Sequence, residues 1–288
     1  CDRLISSIMV QVGIAAGSQI AADGGAAVAR IGGNAVDAAI ATTLISICTD
    51  VGVMAPGAGG FITVAPPQGD PVVIDAYAEM PGRGLSAESW QGEPDWVTFD
   101  YGGMMTSGIG HRSVATPGIF AGLGMASQHY GRLPWADLVQ PAIHWVRRGF
   151  PLSGGAAEYL SYTHQAIFSW HPASYPVVHR RDGTCLQAGD TILIPHLADS
   201  LDRIAQAGVE TIYTGDIAER ISIEMQTHRG LLTPEDLGAY QPVVRSPIII
   251  PFGNWDVMTN PAPAVGGACL AAMLLLLNAD PVAAWNRD

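Results

Sequence analysis

The segment from Ile31 to Phe61 constrains this chain more than any other. Gly32-Gly33 can end one helix, and Asn34 can start the next as its N-cap, with Asp37 three residues on, where the positive helix end favours a carboxylate. The Ala, Ile and Leu residues that follow face apolar neighbours, and their small members allow close packing. Pro56-Gly-Ala-Gly-Gly60 comes next and leads into Phe61–Val64, which reads as a strand. A turn-rich Ala-Pro-Pro-Gln-Gly-Asp-Pro linker joins it to a second strand, Val72–Asp75. Glycines 57, 59 and 60 either turn the chain before the strand or let backbone N–H groups approach a substrate closely.

Composition narrows the function classes. With 288 residues, 48% of them hydrophobic, the chain can bury a substantial core and is long enough for one large domain, 1–288, or two ordinary ones. The 34 glycines and 20 prolines have no repeating period and read as turns. Net charge is −12 and all 14 basic residues are arginine, so the clustered positive charge of a nucleic-acid footprint is missing. The apolar run from Ala35 to Cys48 falls short of the roughly 18 residues a membrane span needs. The first ten residues lack a secretory layout, which makes the cytoplasm the default location. Cys1, Cys48, Cys185 and Cys269 show no Cys-x-x-Cys spacing and are expected as reduced thiols. Cys1 reads as a processing end or as an N-terminal nucleophile with its own amino group as base. The eight histidines (111, 129, 144, 164, 171, 179, 196 and 228) are scattered singly without metal-ligand spacing, so no metal is expected. No G-x-G-x-x-G spacing, lysine-bearing phosphate loop or Gly-x-Ser-x-Gly elbow is present, and no cofactor is expected.

Start and stop signals order the rest of the chain. Ser18 can cap a helix through Ile20 and Val28 to Ile31. Thr116-Pro117-Gly118 reads as an N-cap with proline at the first helical position, in a helix that closes at Gly131. Pro134 opens a helix running to Arg147-Arg148 before Gly149, with Pro141 as a break or kink. Residues 151–190 are aromatic and irregular, a surface excursion or a long helical insertion. A helix is expected over Ile194–Gly208, another after Tyr213-Thr-Gly-Asp, and a third at Thr233-Pro-Glu-Asp. Ile248–Pro251 and Trp255–Met258 read as a hairpin, and the tail after Pro261 as helix.

Read together, Gly32-Gly-Asn-Ala-Val-Asp-Ala-Ala-Ile-Ala41 and Pro56-Gly-Ala-Gly-Gly-Phe61 resemble the large subunit of a γ-glutamyltransferase. Further blocks follow in the family's order. Ser113-Val-Ala-Thr-Pro-Gly118, Tyr130-Gly-Arg-Leu-Pro-Trp-Ala-Asp-Leu-Val-Gln-Pro-Ala-Ile143 and Arg148-Gly-Phe-Pro-Leu-Ser153 resemble its middle signature, and Tyr213-Thr-Gly-Asp-Ile-Ala218, Leu232–Tyr240 and Pro261–Gly267 complete the series. In the last of these, Ala264 and Val265 stand where the family usually carries two serines. The resemblance implies an α+β fold, the four-layer αββα sandwich of N-terminal-nucleophile hydrolases, completed by a second chain. It implies an autocleaved zymogen whose small subunit, from the same precursor, begins with the catalytic threonine. No catalytic residue is then expected in this chain, where no segment looks like the cleavage site. Family large subunits usually continue through further helices to that point. A dimer of such heterodimers is one possible assembly.

The resemblance also marks a departure. The family holds the substrate α-carboxylate with an arginine in an Asp-x-Arg-Glu-x-x-Pro context, and here Asp75-Ala-Tyr-Ala-Glu-Met-Pro81 puts Tyr77 at that place. A phenol offers one neutral hydroxyl and an aromatic face instead of a charged fork. Tyr77 is thus a candidate substrate contact or a core tyrosine, Glu79 an orienting carboxylate or an exposed one, and Arg83 a replacement cation or a solvated one. Gly59 and Gly60 complete the candidate substrate-binding set. The expected function is hydrolysis of a small-molecule substrate lacking the glutamyl carboxylate contact: an amide, as in acylases, or a carbon–carbon bond in natural-product biosynthesis. The alternatives are a genuine γ-glutamyl hydrolase or transpeptidase acting on glutathione-like amides, and a non-catalytic binding protein.

Overall fold

The structure, a computed structural model, describes residues 12–278; Cys1 lies outside them. After a short extended lead, α1 (Gln19–Arg30) and α2 (Ala35–Thr49) form an antiparallel pair. The turn between them uses Gly32 at φ +101°, a conformation glycine adopts without Cβ strain. The capping box is present: Asn34 Oδ1 accepts from the Asp37 N–H and Asp37 accepts from the Asn34 N–H. Ser18 precedes α1, but its side chain makes no capping bond. α2 is apolar nearly all round, and Ile40, Leu44, Ile45 and Ile47 are fully buried, as a helix at the centre of a core should be. Its partner approaches closely because α1 presents Gly24 and Gly25; a Cβ on Gly24 would lie 2.0 Å from Ile45 Cδ1.

β1 (Gly60–Val64) and β2 (Val72–Ala76) pair antiparallel with Ile62 opposite Ile74, and β7 (Val243–Arg245) adds to the far edge of β2. Between β2 and the next core helix, β3 (Asp95–Asp100) and β4 (Met104–Ile109) form an exposed hairpin absent from the sequence-based reading. α3 (Ile119–Tyr130) packs on β1 and β2. It starts later than the Thr116-Pro117 signal suggests, because Thr116 exchanges both backbone hydrogen bonds with Glu79 in a β-bridge, leaving Gly118 as the N-cap. α4 (Trp135–Arg148) runs on past Pro141 rather than breaking there.

β5 (Phe150–Pro151) and β6 (Thr191–Ile192) tie the base of the 151–190 excursion, which contains α5 (Gly154–Thr163), a π-turn His164–Phe168 and α6 (Tyr175–Val178). Phe150, Leu152, Leu160, Val178 and Ile192 give it a small core of its own. Tyr101, in the β3–β4 turn, meets Tyr159 and Tyr162 edge-on, so the excursion and the hairpin lean on each other. α7 (Leu197–Ala207) begins three residues after Ile194, since Pro195 is followed by His196 in the left-handed region, φ +62°. α8 (Glu210–Tyr213), α9 (Asp216–Thr227) and α10 (Pro234–Ala239) follow, then the hairpin β8 (Ile248–Phe252) and β9 (Trp255–Thr259), and α11 (Val265–Asn278). No helix among the described residues is long and apolar enough to cross a membrane. The order of helices and short antiparallel strands makes this an α+β fold.

Candidate substrate rim at the end of the first hairpin

The five residues singled out in the sequence come together where β1 begins and β2 ends. Ala58 C=O accepts from the N–H groups of Gly118 and Ile119, which pins the glycine loop to the start of α3. Gly59 then passes directly under the backbone leaving β2: a Cβ there would lie 2.3 Å from the Ala78 nitrogen and 2.8 Å from the Tyr77 carbonyl carbon, so no larger residue fits. Gly60 pairs with Ala76 in the ladder. The glycines therefore bring two backbone segments together.

Tyr77 is 57% exposed and lies outside the core. One face of its ring stacks on Phe61, with centroids 5.4 Å apart and planes 16° from parallel. Its backbone is held on both sides: the N–H donates to Asp75 Oδ1 and the C=O accepts from the Tyr240 hydroxyl at 2.8 Å. Tyr240 stacks in turn on Tyr213, whose hydroxyl donates to Pro117 C=O and accepts from the Ala121 N–H. Burial pushes the Tyr213 phenol up to about 12, and burial together with neighbouring Tyr213, Glu79 and Asp75 pushes Tyr240 higher, so both stay neutral donors.

Glu79 is fixed by its bridge to Thr116, and its carboxylate accepts from Arg83 Nη2 at 2.9 Å. Arg83 also faces Asp236 Oδ1 at 3.7 Å. Asp236 is fully buried at the start of α10, where Thr233 and Asp236 form a second capping box. Its oxygens accept from the N–H groups of Gly82 (2.6 Å), Arg83 (2.9 Å) and Thr233 (2.9 Å). Burial alone would raise this carboxyl, but those bonds and the Thr233 hydroxyl outweigh it and hold it below the ordinary carboxylate range. A second arginine, Arg245 on β7, donates Nε to Asp75 Oδ2 at 2.7 Å.

Both guanidinium groups at this rim therefore already face carboxylates of the chain itself. A substrate carboxylate would have to compete with Glu79 and Asp236 for Arg83, or with Asp75 for Arg245. What stays open is the outer face of Tyr77, an aromatic surface with one neutral hydroxyl. Sequence reading missed Asp236, Tyr240 and Arg245 as parts of this arrangement. Asp236 had a visible signal in its cap motif, whereas Arg245 is placed only by the pairing of β2 with β7.

The gamma-glutamyltranspeptidase family model matches residues 21–286. The glutathione hydrolase proenzyme of Escherichia coli is 34% identical over 256 residues, covering 88% of this chain and 42% of that protein. Glutathione hydrolase 5 proenzyme of mouse is 32% identical over 272 residues, covering 92% and 44%. The chain thus spans less than half the length of these curated relatives. Among solved structures, the gamma-glutamyltranspeptidase of Pseudomonas nitroreducens, complexed with L-DON, is 28% identical with a TM-score of 0.78 over 96% of this chain and 80% of that one. That of Helicobacter pylori, 24% identical with a TM-score of 0.81 over 96% and 78%, shares the fold. Cephalosporin acylase of Bacillus halodurans is 25% identical with a TM-score of 0.66, covering 84% of this chain and 44% of that one. With a family model spanning nearly its whole length and this fold beneath it, the chain belongs to the gamma-glutamyltranspeptidase family.

Proposed function

We propose that this chain is the large-subunit part of an autoprocessed hydrolase in which a threonine at the head of the small subunit, from the same precursor, attacks a substrate carbonyl. An acyl-enzyme forms as the leaving group departs, and water or an acceptor amine releases the acyl group. Donors in the site would stabilise the oxyanion of each tetrahedral intermediate. In this reading the Tyr77 rim selects the acyl part of the substrate, which lacks the glutamyl α-carboxylate. The observation that carries it is the pairing of Arg83 with Glu79 and Asp236 beside an exposed Tyr77. A substrate carboxylate left unpaired at a buried site costs about 2–5 kcal/mol, whereas a neutral or aromatic acyl group against the Tyr77 face does not incur that cost.

The test begins with denaturing mass and N-terminal sequencing of the full precursor after expression, where a second chain headed by threonine is expected. Processed enzyme is then assayed on a γ-glutamyl anilide and on the 4-aminobutyryl anilide, which differs by the missing α-carboxylate. The wild type should favour the latter, and Tyr77→Arg should raise kcat/KM for the γ-glutamyl substrate by roughly 30-fold or more. A strong wild-type preference for the γ-glutamyl anilide, unmoved by Tyr77→Arg, sinks this reading.

A second reading, hydrolysis of glutathione-like γ-glutamyl amides, draws on the similarity to glutathione hydrolase proenzymes. It requires Arg83 to leave Glu79 for the substrate, and Arg83→Gln would then abolish γ-glutamyl activity.

A further inference from the structure

Away from the rim, a hollow lies where the 3₁₀ turn His111–Ser113 meets the C-terminal end of α9. Two histidines 117 positions apart in sequence share one acceptor there. His111 Nε2 lies 2.9 Å, and His228 Nε2 3.5 Å, from the same oxygen, Glu224 Oε1. The two imidazoles stack with centroids 4.4 Å apart and planes 13° from parallel. Ligand atoms of all three side chains lie within 4.8 Å of one another.

The three ligand atoms are close enough for one ion to gather, with a turn of the exposed His228 ring, because the in-plane lone pairs of two parallel imidazoles do not converge. Zinc holds nitrogen and oxygen ligands at about 2.0–2.2 Å, which at a tetrahedral angle puts neighbouring ligand atoms roughly 3.3 Å apart. Both distances to Glu224 Oε1 lie near that value, and the two imidazole nitrogens are within 4.8 Å of each other. Two imidazoles and one carboxylate are a donor set suited to zinc-class transition ions rather than to calcium or magnesium, which prefer oxygen. Three protein ligands also leave a coordination position for water.

Local structure holds the three side chains in place. Glu224 and His228 are four residues apart, and the His228 N–H still donates to Glu224 C=O, so both project from one face of the helix end. His111, the least exposed of the three, lies against the Trp170 ring at 5.4 Å, and Trp170 Nε1 donates to Asp95 Oδ2 at 2.6 Å. Arg112 and Arg229 line the same hollow and oppose a cation, although Arg112 directs Nη1 and Nη2 to the carbonyls of Arg229 and Ser89. Their presence points to modest affinity.

We propose that His111, Glu224 and His228 form a three-ligand site for a divalent transition-metal ion of the zinc class, which ties the turn after β4 to the end of α9. The test uses the full protein, stripped with a chelator and titrated with zinc by calorimetry, with cobalt(II) absorption as the report of coordination. One equivalent of zinc should bind and raise Tm. His228→Ala and Glu224→Gln alter exposed side chains, and each should weaken binding by more than the roughly 10–100-fold that loss of an outer-shell partner costs. His196→Ala, at a distant exposed histidine, should leave binding unchanged. No binding by the wild type up to millimolar zinc, or equal binding by the wild type and both ligand variants, overturns the proposal.

Discussion

At the start of α2, Asn34 and Asp37 exchange side-chain and backbone hydrogen bonds, and at the start of α10 Thr233 and Asp236 repeat the exchange. Both aspartates are fully buried, and both have lone pairs left over for a distant segment. Asp37 accepts from the N–H of Arg132 with both oxygens, at 3.0 and 3.1 Å, in the connection between α3 and α4. Asp236 accepts instead from Gly82 and Arg83, in the loop that follows Glu79. One box locks a 15-residue helix into the main core, while the other attaches a six-residue helix to the candidate rim. A cap aspartate thus sets the geometry of a remote loop, and the structural consequence depends on what that loop carries.

Breaking the first box should have the largest effect. Asp37→Ala leaves the part-buried N–H groups of Asn34 and Arg132 without their acceptor, at about 1–3 kcal/mol each, and frees the start of the helix at the centre of the core, so roughly 2–6 kcal/mol of global stability should be lost. Urea denaturation followed by tryptophan fluorescence measures it, and a loss under about 1 kcal/mol would mean that the α3–α4 connection finds other partners. Asp236→Ala should cost less, about 2–3 kcal/mol, because the helix it caps is only six residues long and packs outside the main core, where the loop can relax towards water. The loss should be local: backbone exchange at Gly82 and Arg83 accelerates while the amides of α2 stay protected.

The same comparison has a pH dependence. The Asp236 carboxyl titrates below its unfolded value, so its contribution is fully present above the ordinary carboxylate pKa, near 4, and fades as pH falls through the lower folded value. The gap in urea midpoint between wild type and Asp236→Asn should therefore be constant from pH 7 to about 5 and shrink towards pH 3. A gap that instead widens in acid would show that the buried carboxyl is protonated at neutral pH.

Local signals in the sequence carried most of the fold. Both capping boxes, the β1–β2 and β8–β9 hairpins and the Gly131 and Gly149 stops are short-range devices, each complete within a few residues. The β3–β4 hairpin escaped because its strands alternate weakly and stay largely exposed, although Tyr101-Gly-Gly103 marked its turn. Thr116-Pro117 misled for a different reason: a tertiary bridge to Glu79 took the backbone that a cap would have used. At the candidate rim, Tyr77 was visible as one residue that departs from the pattern the resemblance implies. What Arg83 faces was not, since Asp236 lies 153 positions away and Arg245 reaches Asp75 only through the sheet. The histidines followed the same rule: Glu224-x-x-x-His228 is a local spacing, but His111 joins it only in the folded chain.

The smallest expected effect separates the two readings of the rim most sharply. Glu79 and Arg83 form a pair in which both side chains are about 40% exposed, so solvent and salt screen it, and Glu79→Gln should change stability by no more than about 0.5–1 kcal/mol. The backbone bridge from residue 79 to Thr116 survives the substitution, which keeps the loop in place. Arg83 then keeps only the 3.7 Å approach to Asp236 and is freer to meet a substrate anion. If Arg83 is the carboxylate receptor, removing its nearer competitor should lower KM for a γ-glutamyl anilide without raising kcat, because the gain is in uniform binding. If Tyr77 defines the acyl pocket, KM for that substrate should stay within about two-fold of wild type, since the acyl group would then meet the Tyr77 ring rather than the freed guanidinium. Steady-state kinetics of the two proteins side by side decides between them: a several-fold fall in KM would return the rim to glutamyl recognition, and an unchanged value leaves Arg83 as the tie between the loop and α10.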